Sequence, residues 1–200
     1  MARWSWQFRI FKRFCDVTFA LGMLPTVGVI SLILLILNPF FNPGPLFFRQ
    51  ERMGLGGERF RVWKFRTMLC SPDGVRAHDA PLEHDRVTKL GRLMRRSRID
   101  ELPNIFNILA GDMCLVGPRP DAWEHAVEYL YTIPYYSDRF RVRPGITGLA
   151  QVRGGYADTN RAIERKARFD RYYVRKSCGR LDLHILLVTA LIVFTGHGAK

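Results

Sequence analysis

Two adjacent carboxylates, Asp100 and Glu101, stand inside a run of cations. Arg92, Arg95, Arg96 and Arg98 precede them, and Pro118-Arg119-Pro120 follows. A carboxylate can act as a covalent nucleophile toward a phosphoryl group. Arginines and lysines offset the charge of a phosphate that would otherwise repel that nucleophile. Acidic residues open many helices as ordinary caps, so the pair alone says little. Its cationic surroundings point to a site for a metal and a phosphate.

The elements that must position this pair follow from apolar spacing. Leu102, Ile105, Phe106 and Leu109 fall at i, i+3, i+4 and i+7 and predict an amphipathic helix directly after the carboxylates. Pro103 suits its first turn and Gly111 its end. Asp100 and Glu101 then lie at a helix N-terminus, where the macrodipole favours ionised carboxylates. Upstream, Val87, Leu90 and Met94 mark another helix, with Lys89, Arg92, Arg95 and Arg96 on its other face. That face is either solvated or turned to lipid headgroups or substrate phosphates.

Residues 46–53 and 58–68 read as a hairpin around Gly54-Leu55-Gly56-Gly57. Phe60 and Val62 share one face of the second strand, and alternation puts Lys64, Arg66 and Met68 there too. Either a bulge near Trp63 flips the register, or Lys64 and Arg66 are held inward for an anion; the second is favoured. Pro118-Arg119-Pro120 is stiff and aims a guanidinium whose fork suits phosphate. Arg143-Pro144-Gly145 is a second stiff turn, followed after Gly148 by Leu149-Ala150-Gln151-Val152. Residues 160–176 read as a charged helix. Residues 181–195 read as an apolar one about 22 Å long, which packs or lies at an interface rather than spanning. His78, Asp79, Glu83, His84 and Asp85 fall in a polar loop with no metal-site spacing.

The chain has 200 residues, 48% hydrophobic and 24% charged, enough for one packed domain. Its net charge of +13 calls for an anionic partner: nucleic acid, anionic lipid or a phosphate-rich small molecule. Cys15, Cys70, Cys114 and Cys178 form no CxxC and read as reduced thiols. P-loop, HExxH and GxSxG motifs are absent, which excludes the chemistries those motifs carry.

The N-terminus mixes Trp4, Trp6, Phe8 and Phe11 with Arg3, Arg9, Lys12 and Arg13, the mixture a membrane–water interface prefers. Residues 17–48 carry no charge. Pro25 interrupts that run, and residues 26–37 cover about 18 Å at the helical rise, short of a hydrocarbon core of roughly 30 Å. A straight helix over 17–41 is long enough to span. Both flanks are basic, however, and basic flanks stay on the cytoplasmic side. The expectation is a re-entrant helix that bends at Pro25 and returns to the same face. Residues 1–45 then form the anchor and its exit turn, and residues 46–200 the catalytic unit. The fold class expected is α/β, rich in helix with a small β-hairpin or sheet, and interfacial amphipathic helices around a compact core.

The order of segments resembles one family, the small monotopic polyprenyl-phosphate phosphoglycosyl transferases, or bacterial sugar transferases. The matching pieces are Lys12-Arg13-Phe14-Cys15-Asp16, Gly44-Pro45-Leu46-Phe47-Phe48-Arg49-Gln50, Lys64-Phe65-Arg66-Thr67-Met68 and Asp85-Arg86-Val87-Thr88-Lys89-Leu90-Gly91. They continue with Asp100-Glu101-Leu102-Pro103-Asn104, Gly111-Asp112-Met113, Gly117-Pro118-Arg119-Pro120 and Arg143-Pro144-Gly145-Ile146-Thr147-Gly148. The resemblance covers nearly the whole chain. It implies transfer of a phospho-sugar from a UDP-sugar to polyprenyl (undecaprenyl) phosphate at the cytoplasmic face of a bacterial inner membrane, with UMP leaving. It implies a covalent route on Asp100, with Glu101 assisting, and Mg²⁺ as cofactor held by Asp100 and Glu101. Lys64, Arg66, Arg95, Arg119, Arg143, Gln151 and Arg153 are the expected phosphate or substrate ligands. Anionic lipids, downstream glycosyltransferases or a second copy are the expected partners, and nucleic acid is not.

Three departures stand out. The family's frequent Ser-Pro at the membrane break is Leu24-Pro25, its Trp after Ile-Thr-Gly is Leu149, and its Asn-Gly-Arg after Gln-Val is Arg153-Gly154-Gly155. The alternatives are a basic membrane or nucleic-acid-binding protein without catalysis, and an inactive scaffold of a glycan assembly complex. Salt separates the first from an anchored enzyme. Nucleic-acid affinity falls steeply with salt, whereas the protein should stay in the membrane pellet when washed with molar salt; release by salt would refute the apolar anchor.

Overall fold

The computed structural model describes residues 4–69, 86–154 and 159–195. The polar loop with His78, Asp79, Glu83, His84 and Asp85 lies outside the described residues, as does Cys70.

Helix α1 (Trp6–Phe41) starts at Ser5, whose hydroxyl accepts the Phe8 N–H at 3.2 Å. It runs uninterrupted through Pro25 and Pro39. The expected break at Pro25 is therefore not an end of the helix: a proline removes one internal hydrogen bond, and the apolar run on both sides continues the spiral. Lys12, Asp16, Ala20, Val27, Leu34 and Asn38 form its buried stripe. Much of the rest of the helix is apolar and exposed, with Phe14 and Ile36 both 68% and Phe40 78% accessible. Helix α1 is long and apolar enough to cross a membrane. So much exposed apolar surface is unfavourable in water and suits lipid.

Strands β1 (Phe47–Met53) and β2 (Arg59–Phe65) form the expected antiparallel hairpin. Their register steps evenly from Phe47↔Phe65 to Met53↔Arg59, with no bulge. Lys64 thus shares a face with Val62 and Phe60, as simple alternation requires. Strand β2 ends at Phe65, so Arg66 lies beyond it, and its expected role as an anion ligand needs correcting. The Arg66 guanidinium is buried and donates to the carbonyls of Pro45 (2.7 Å), Met68 (2.7 Å) and Asn42. Asn42 Nδ2 donates back to the Arg66 carbonyl at 2.8 Å. Arg66 is spent on fastening the exit from α1 to the hairpin.

Helix α2 (Lys89–Arg96) is capped by Thr88, whose hydroxyl accepts the Gly91 N–H at 2.9 Å. It buries Met94 and exposes Arg92, Arg95 and Arg96. Val87 lies ahead of it and bridges Met68 instead. At Gly91 a Cβ would stand 2.0 Å from the Thr67 carbonyl oxygen, so only glycine lets α2 lie against the strand exit. A 3₁₀ turn over Ile99–Glu101 follows, then α3 (Asn104–Ala110), ended by Gly111 at φ 92°. The helix after the carboxylates starts two residues later than its apolar spacing predicts, because Pro103 takes the cap position. Asp100 and Glu101 occupy the preceding turn rather than the helix.

Strand β3 (Cys114–Val116), helix α4 (Trp123–Thr132), a 3₁₀ turn over Tyr136–Arg141 and strand β4 (Gly145–Thr147) come next. Strands β3 and β4 pair in parallel, Cys114 with Gly145 and Val116 with Thr147. Helices α5 (Leu149–Gly154), α6 (Asn160–Lys176) and α7 (Gly179–Thr195) complete the chain. The main core joins Ala20, Val27 and Leu34 of α1 to Val62, Ile105, Ile108, Met113, Val116 and Ile185. A second cluster joins Met53, Ala126, Tyr136, Phe140 and Ile163. Helix α7 buries Ile185 and leaves Leu183, Leu187 and Leu191 exposed, so it packs with one side and presents an apolar stripe on the other.

Asn107 carries the joint between α3 and the hairpin. Its Oδ1 accepts the Trp63 N–H at 2.9 Å and its Nδ2 donates to the Arg61 carbonyl at 2.8 Å. One buried amide thereby supplies the strand partner that the open edge of β2 lacks. Asn107→Ala should lower the unfolding free energy by about 2–3 kcal/mol in denaturant titrations, the cost of leaving two backbone groups unmet. A loss under about 0.5 kcal/mol would mean that water replaces both bonds.

Candidate active site

The 3₁₀ turn that holds the carboxylates is entered through Arg98, a non-glycine residue in the left-handed region at φ 58°. Such a conformation costs of order 1 kcal/mol. It redirects the chain out of α2 and leaves Arg98 Nη1 3.8 Å from Glu101 Oε1. Strand β2 brings Lys64 Nζ to 3.5 Å from the same oxygen. The stiff segment after β3 brings Arg119, whose Nη1 donates to Glu101 Oε2 at 3.0 Å and whose Nη2 donates to Oε1. The fork-to-carboxylate geometry is bidentate, the strong form of this pairing. Arg119 is itself held: Nη1 also reaches the Ile146 carbonyl at 3.2 Å, and Arg139 donates to the Arg119 carbonyl.

The two carboxylates respond in opposite directions. Burial works against the Glu101 carboxylate, yet Arg119, Lys64 and Arg98 outweigh it and hold Glu101 well below the usual carboxylate range. Asp100 is 8% exposed, and its Oδ1 is buried with no hydrogen-bond partner. Burial pushes its carboxyl up and the Glu101 charge adds to this, against the pull of Lys64, Arg95 and Arg98. The helix dipole expected to favour both anions does not decide either one. Cations fix Glu101, and desolvation governs Asp100. Burial lowers the Lys64 ammonium to about 8; Glu101 opposes this, and Arg119 and Arg52 add to it. Burial outweighs the ion pair with Glu101, so Lys64 stays below its ordinary value.

Of the other expected ligands, Arg95 is exposed and donates from Nε to Thr67 Oγ1 at 2.9 Å, close enough to act on Asp100. Gln151 Nε2 reaches the Ile146 carbonyl at 3.3 Å, the same oxygen that Arg119 uses, and its Oε1 is buried and unpartnered. Arg143 and Arg153 are exposed, and neither joins the Glu101 cluster among the described residues. A cleft beside the carboxylates has two polar lining residues that are absent from the sequence-based set. Arg52 and Asn104 line it with Lys64 and Arg119. Alternation on β1 from Gln50, across from Val62, was the signal for Arg52. Asn104 closes the Asp100–Asn104 segment that carries the family resemblance, but its type alone assigned it no role.

A family model described as bacterial sugar transferase matches residues 7–196. The chain belongs to the bacterial sugar transferase family. It is 41% identical over 190 residues to a UDP-glucose:undecaprenyl-phosphate glucose-1-phosphate transferase of Caulobacter vibrioides, covering 94% of this chain and 71% of the relative. It is 39% identical over 189 residues to a UDP-N-acetylgalactosamine-undecaprenyl-phosphate N-acetylgalactosaminephosphotransferase of Aeromonas hydrophila, covering 94% of this chain and 45% of the relative. The exopolysaccharide production protein PSS of Rhizobium leguminosarum bv. phaseoli is 36% identical over 195 residues, 93% of this chain and 96% of the relative. Against the Aeromonas relative and a Xanthomonas campestris glucose-1-phosphate transferase, the chain spans under half the relative's length, 45% and 32%.

In this sugar transferase, the described residues hold no cluster of three or more His, Cys, Asp or Glu side chains that would cage a metal alone. Mg²⁺ does not need one, since it is bound through one or two carboxylates plus substrate phosphates and water. The orphaned Oδ1 of Asp100 fits that donor set, and Glu101 Oε2 keeps a lone pair beside its bond to Arg119.

Lys64 gives the site a pH signature. It is cationic below about 8 and neutral above, so it attracts an anionic ligand only on the acidic side. For the free enzyme kcat/KM should therefore fall as pH rises through about 8. Lys64→Arg should carry the plateau beyond pH 9. An unchanged fall in that variant would assign the limb to another group.

Proposed function

We propose that this protein transfers the phospho-sugar of a UDP-sugar to a polyprenyl (undecaprenyl) phosphate, releasing UMP and opening the assembly of a surface glycan. The observation that carries the reading is the division of labour between neighbouring carboxylates: Glu101 is locked by Arg119 and Lys64, while Asp100 keeps a buried, unpartnered oxygen. Relatives named for this reaction on UDP-glucose and UDP-N-acetylgalactosamine support it.

In the first step a carboxylate oxygen of Asp100 attacks the phosphorus bonded to the sugar. The bond from that phosphorus to the bridging oxygen breaks, and the electron pair leaves with UMP. In the second step a phosphate oxygen of the polyprenyl acceptor attacks the same phosphorus. The bond to Asp100 breaks, the free carboxylate returns, and polyprenyl-diphosphate-sugar departs. Lys64 and Arg119 offset the diphosphate charge, and Arg119 fixes Glu101. Mg²⁺, held by Asp100 Oδ1 and Glu101 together with the diphosphate, would supply further charge neutralisation. Partial burial of Asp100 strips water from the nucleophile and keeps it from being solvated between steps.

The membrane side of the reading is a re-entrant α1 with both ends on the cytoplasmic face of the inner membrane. Basic residues flank the helix at each end. Arg13 of α1 donates to the Ile108 and Leu109 carbonyls at the end of α3, at 2.6 and 3.0 Å, so the anchor holds the helix that follows the carboxylates. A lipid-borne phosphate at headgroup level then meets Asp100 without leaving its membrane.

The test is UMP release by the purified protein with Mg²⁺, undecaprenyl phosphate and a panel of UDP-sugars. Release should depend on one sugar and fall by at least 10³-fold in Asp100→Asn, the scale of losing a covalent nucleophile. A phospho-sugar adduct on Asp100 should appear by mass spectrometry when acceptor is withheld. Equal release by wild type and Asp100→Asn would overturn the role of Asp100.

A further inference from the structure

The hairpin register sets Phe48 against Lys64, Gln50 against Val62 and Arg52 against Phe60, so Arg52 and Lys64 project from one face of the sheet. Both line a small cleft with Asn104 and Arg119, whose room for a water-sized group is about 10 Å³. That is smaller than the roughly 300–1,000 Å³ of a pocket for a whole small molecule, so the cleft takes one end of a ligand. Its charge is unbalanced. Arg52, Lys64 and Arg119 face it, and Glu101 is the carboxylate paired with Lys64 and Arg119. Arg52 has no ion pair among the described residues: Nη1 donates to the Pro120 carbonyl at 3.0 Å and Nη2 to Gln50 Oε1 at 2.5 Å. A guanidinium carries five N–H donors, so three remain. Asp121 acts on Arg52 more strongly than Glu101 or Glu124 does, and it is already shared by Arg139 and Lys166. Asn104 is 2% exposed and its Oδ1 lacks a partner, a buried polar atom waiting for a donor.

We propose that Arg52, with Lys64 and Arg119, forms a phosphate subsite beside the Asp100–Glu101 pair, and that Asn104 accepts a hydroxyl carried next to that phosphate. The proposal rests on the phosphoglycosyl-transfer reading and adds to it the residue that grips a second phosphate while Asp100 reacts with the first. A second phosphate is present in both steps, on the leaving nucleotide and on the lipid acceptor. The shared chemistry is a phosphate ester, and Arg52 offers it a planar fork that Lys64 does not. Burial and the neighbouring Arg119 depress Arg52, the electrostatic tension that a bound phosphate would relieve.

The experiment separates the two sources. Asp100→Asn protein in phosphatidylcholine nanodiscs is titrated with UMP by calorimetry in the presence of EDTA, with and without Arg52→Met. In parallel, KM for undecaprenyl phosphate is measured on Arg52→Met alone. A nucleotide subsite predicts UMP binding weakened about 10- to 100-fold, the scale of one charge-assisted bidentate contact, with uridine binding unchanged and partial rescue by Arg52→Lys. An acceptor subsite predicts the same factor on acceptor KM, with UMP binding intact. Both values within twofold of the parent, in protein with an unchanged melting temperature, would overturn the proposal and leave Arg52 as a tie to Pro120. Should Arg52→Met fail to fold, Asn104→Asp decides. It sets a like charge facing the cleft and should weaken whichever phosphate is held there; no weakening overturns the subsite. UMP binding needs no turnover, so the result stands apart from whether Asp100 proves to be the nucleophile.

Discussion

The buried pairing of Glu101 with Arg119 is the constraint from which the rest of the site follows. Glu101 is 11% exposed and Arg119 27%, so neither charge is fully screened by water. A pair of this kind is costly to break from one side, about 3–5 kcal/mol when a partner is left buried and alone. Its value here is geometric. It fixes the far end of a stiff Pro-Arg-Pro segment against the turn that holds Asp100. The near end of that segment is fixed independently. Arg139 donates to the Arg119 carbonyl, Arg52 to the Pro120 carbonyl and Met53 to the Asp121 carbonyl. Arg139 in turn is buried against Asp121 and Asp170, with Lys166 also on Asp121. A network of opposed charges between α6 and the 3₁₀ turn over Tyr136–Arg141 thus reaches the site through one backbone carbonyl.

That arrangement explains how two adjacent carboxylates acquire different chemistry. They have the same neighbours in sequence and the same turn. Glu101 has one more methylene and reaches the cations as ion pairs; Asp100 is shorter and stays buried with an unpartnered oxygen. Desolvation without a partner raises a carboxyl, and desolvation with two or three cations lowers it. The result is one permanent anion that orders the cationic side chains, and one carboxylate with an oxygen that is not spent on them.

The anchor is built into the same core rather than attached to it. Asp16 of α1 accepts the Leu115 N–H at 3.0 Å, and Lys12 pairs with Asp182 of α7 at 2.5 Å. Tyr173 of α6 donates to that same aspartate at 2.7 Å. Arg13 covers the carbonyls at the end of α3, where a cation is favoured by the helix dipole as well as by the hydrogen bonds. A bend or tilt of α1 in the bilayer would be felt by α3 and β3, the elements that flank the carboxylate turn. The exposed apolar stripe of α7 lies on the helix that receives Lys12, so both apolar surfaces are tied to one polar joint.

Much of this was legible in the chain itself. Local pattern determined the long apolar helix, the hairpin about Gly54–Gly57, the face shared by Val62 and Lys64, the helix stop at Gly111 and the charged helix over Asn160–Lys176, because each depends on side-chain periodicity or on one residue's backbone freedom. The cationic surroundings of Asp100 and Glu101 were legible from the arginines beside them in the chain. What the tertiary structure alone decided is which cation does what. Arg66 and Lys64 alternate alike in sequence, yet the strand ends at Phe65 and Arg66 is drawn to the exit turn at Asn42. Helix start, opposite shifts of the two carboxylates, the parallel pairing of β3 with β4 and the place of Arg52 and Asn104 in the cleft all depend on contacts between residues far apart in the chain. Burial and charge pairing are properties of the packed whole, and no local window of sequence contains them.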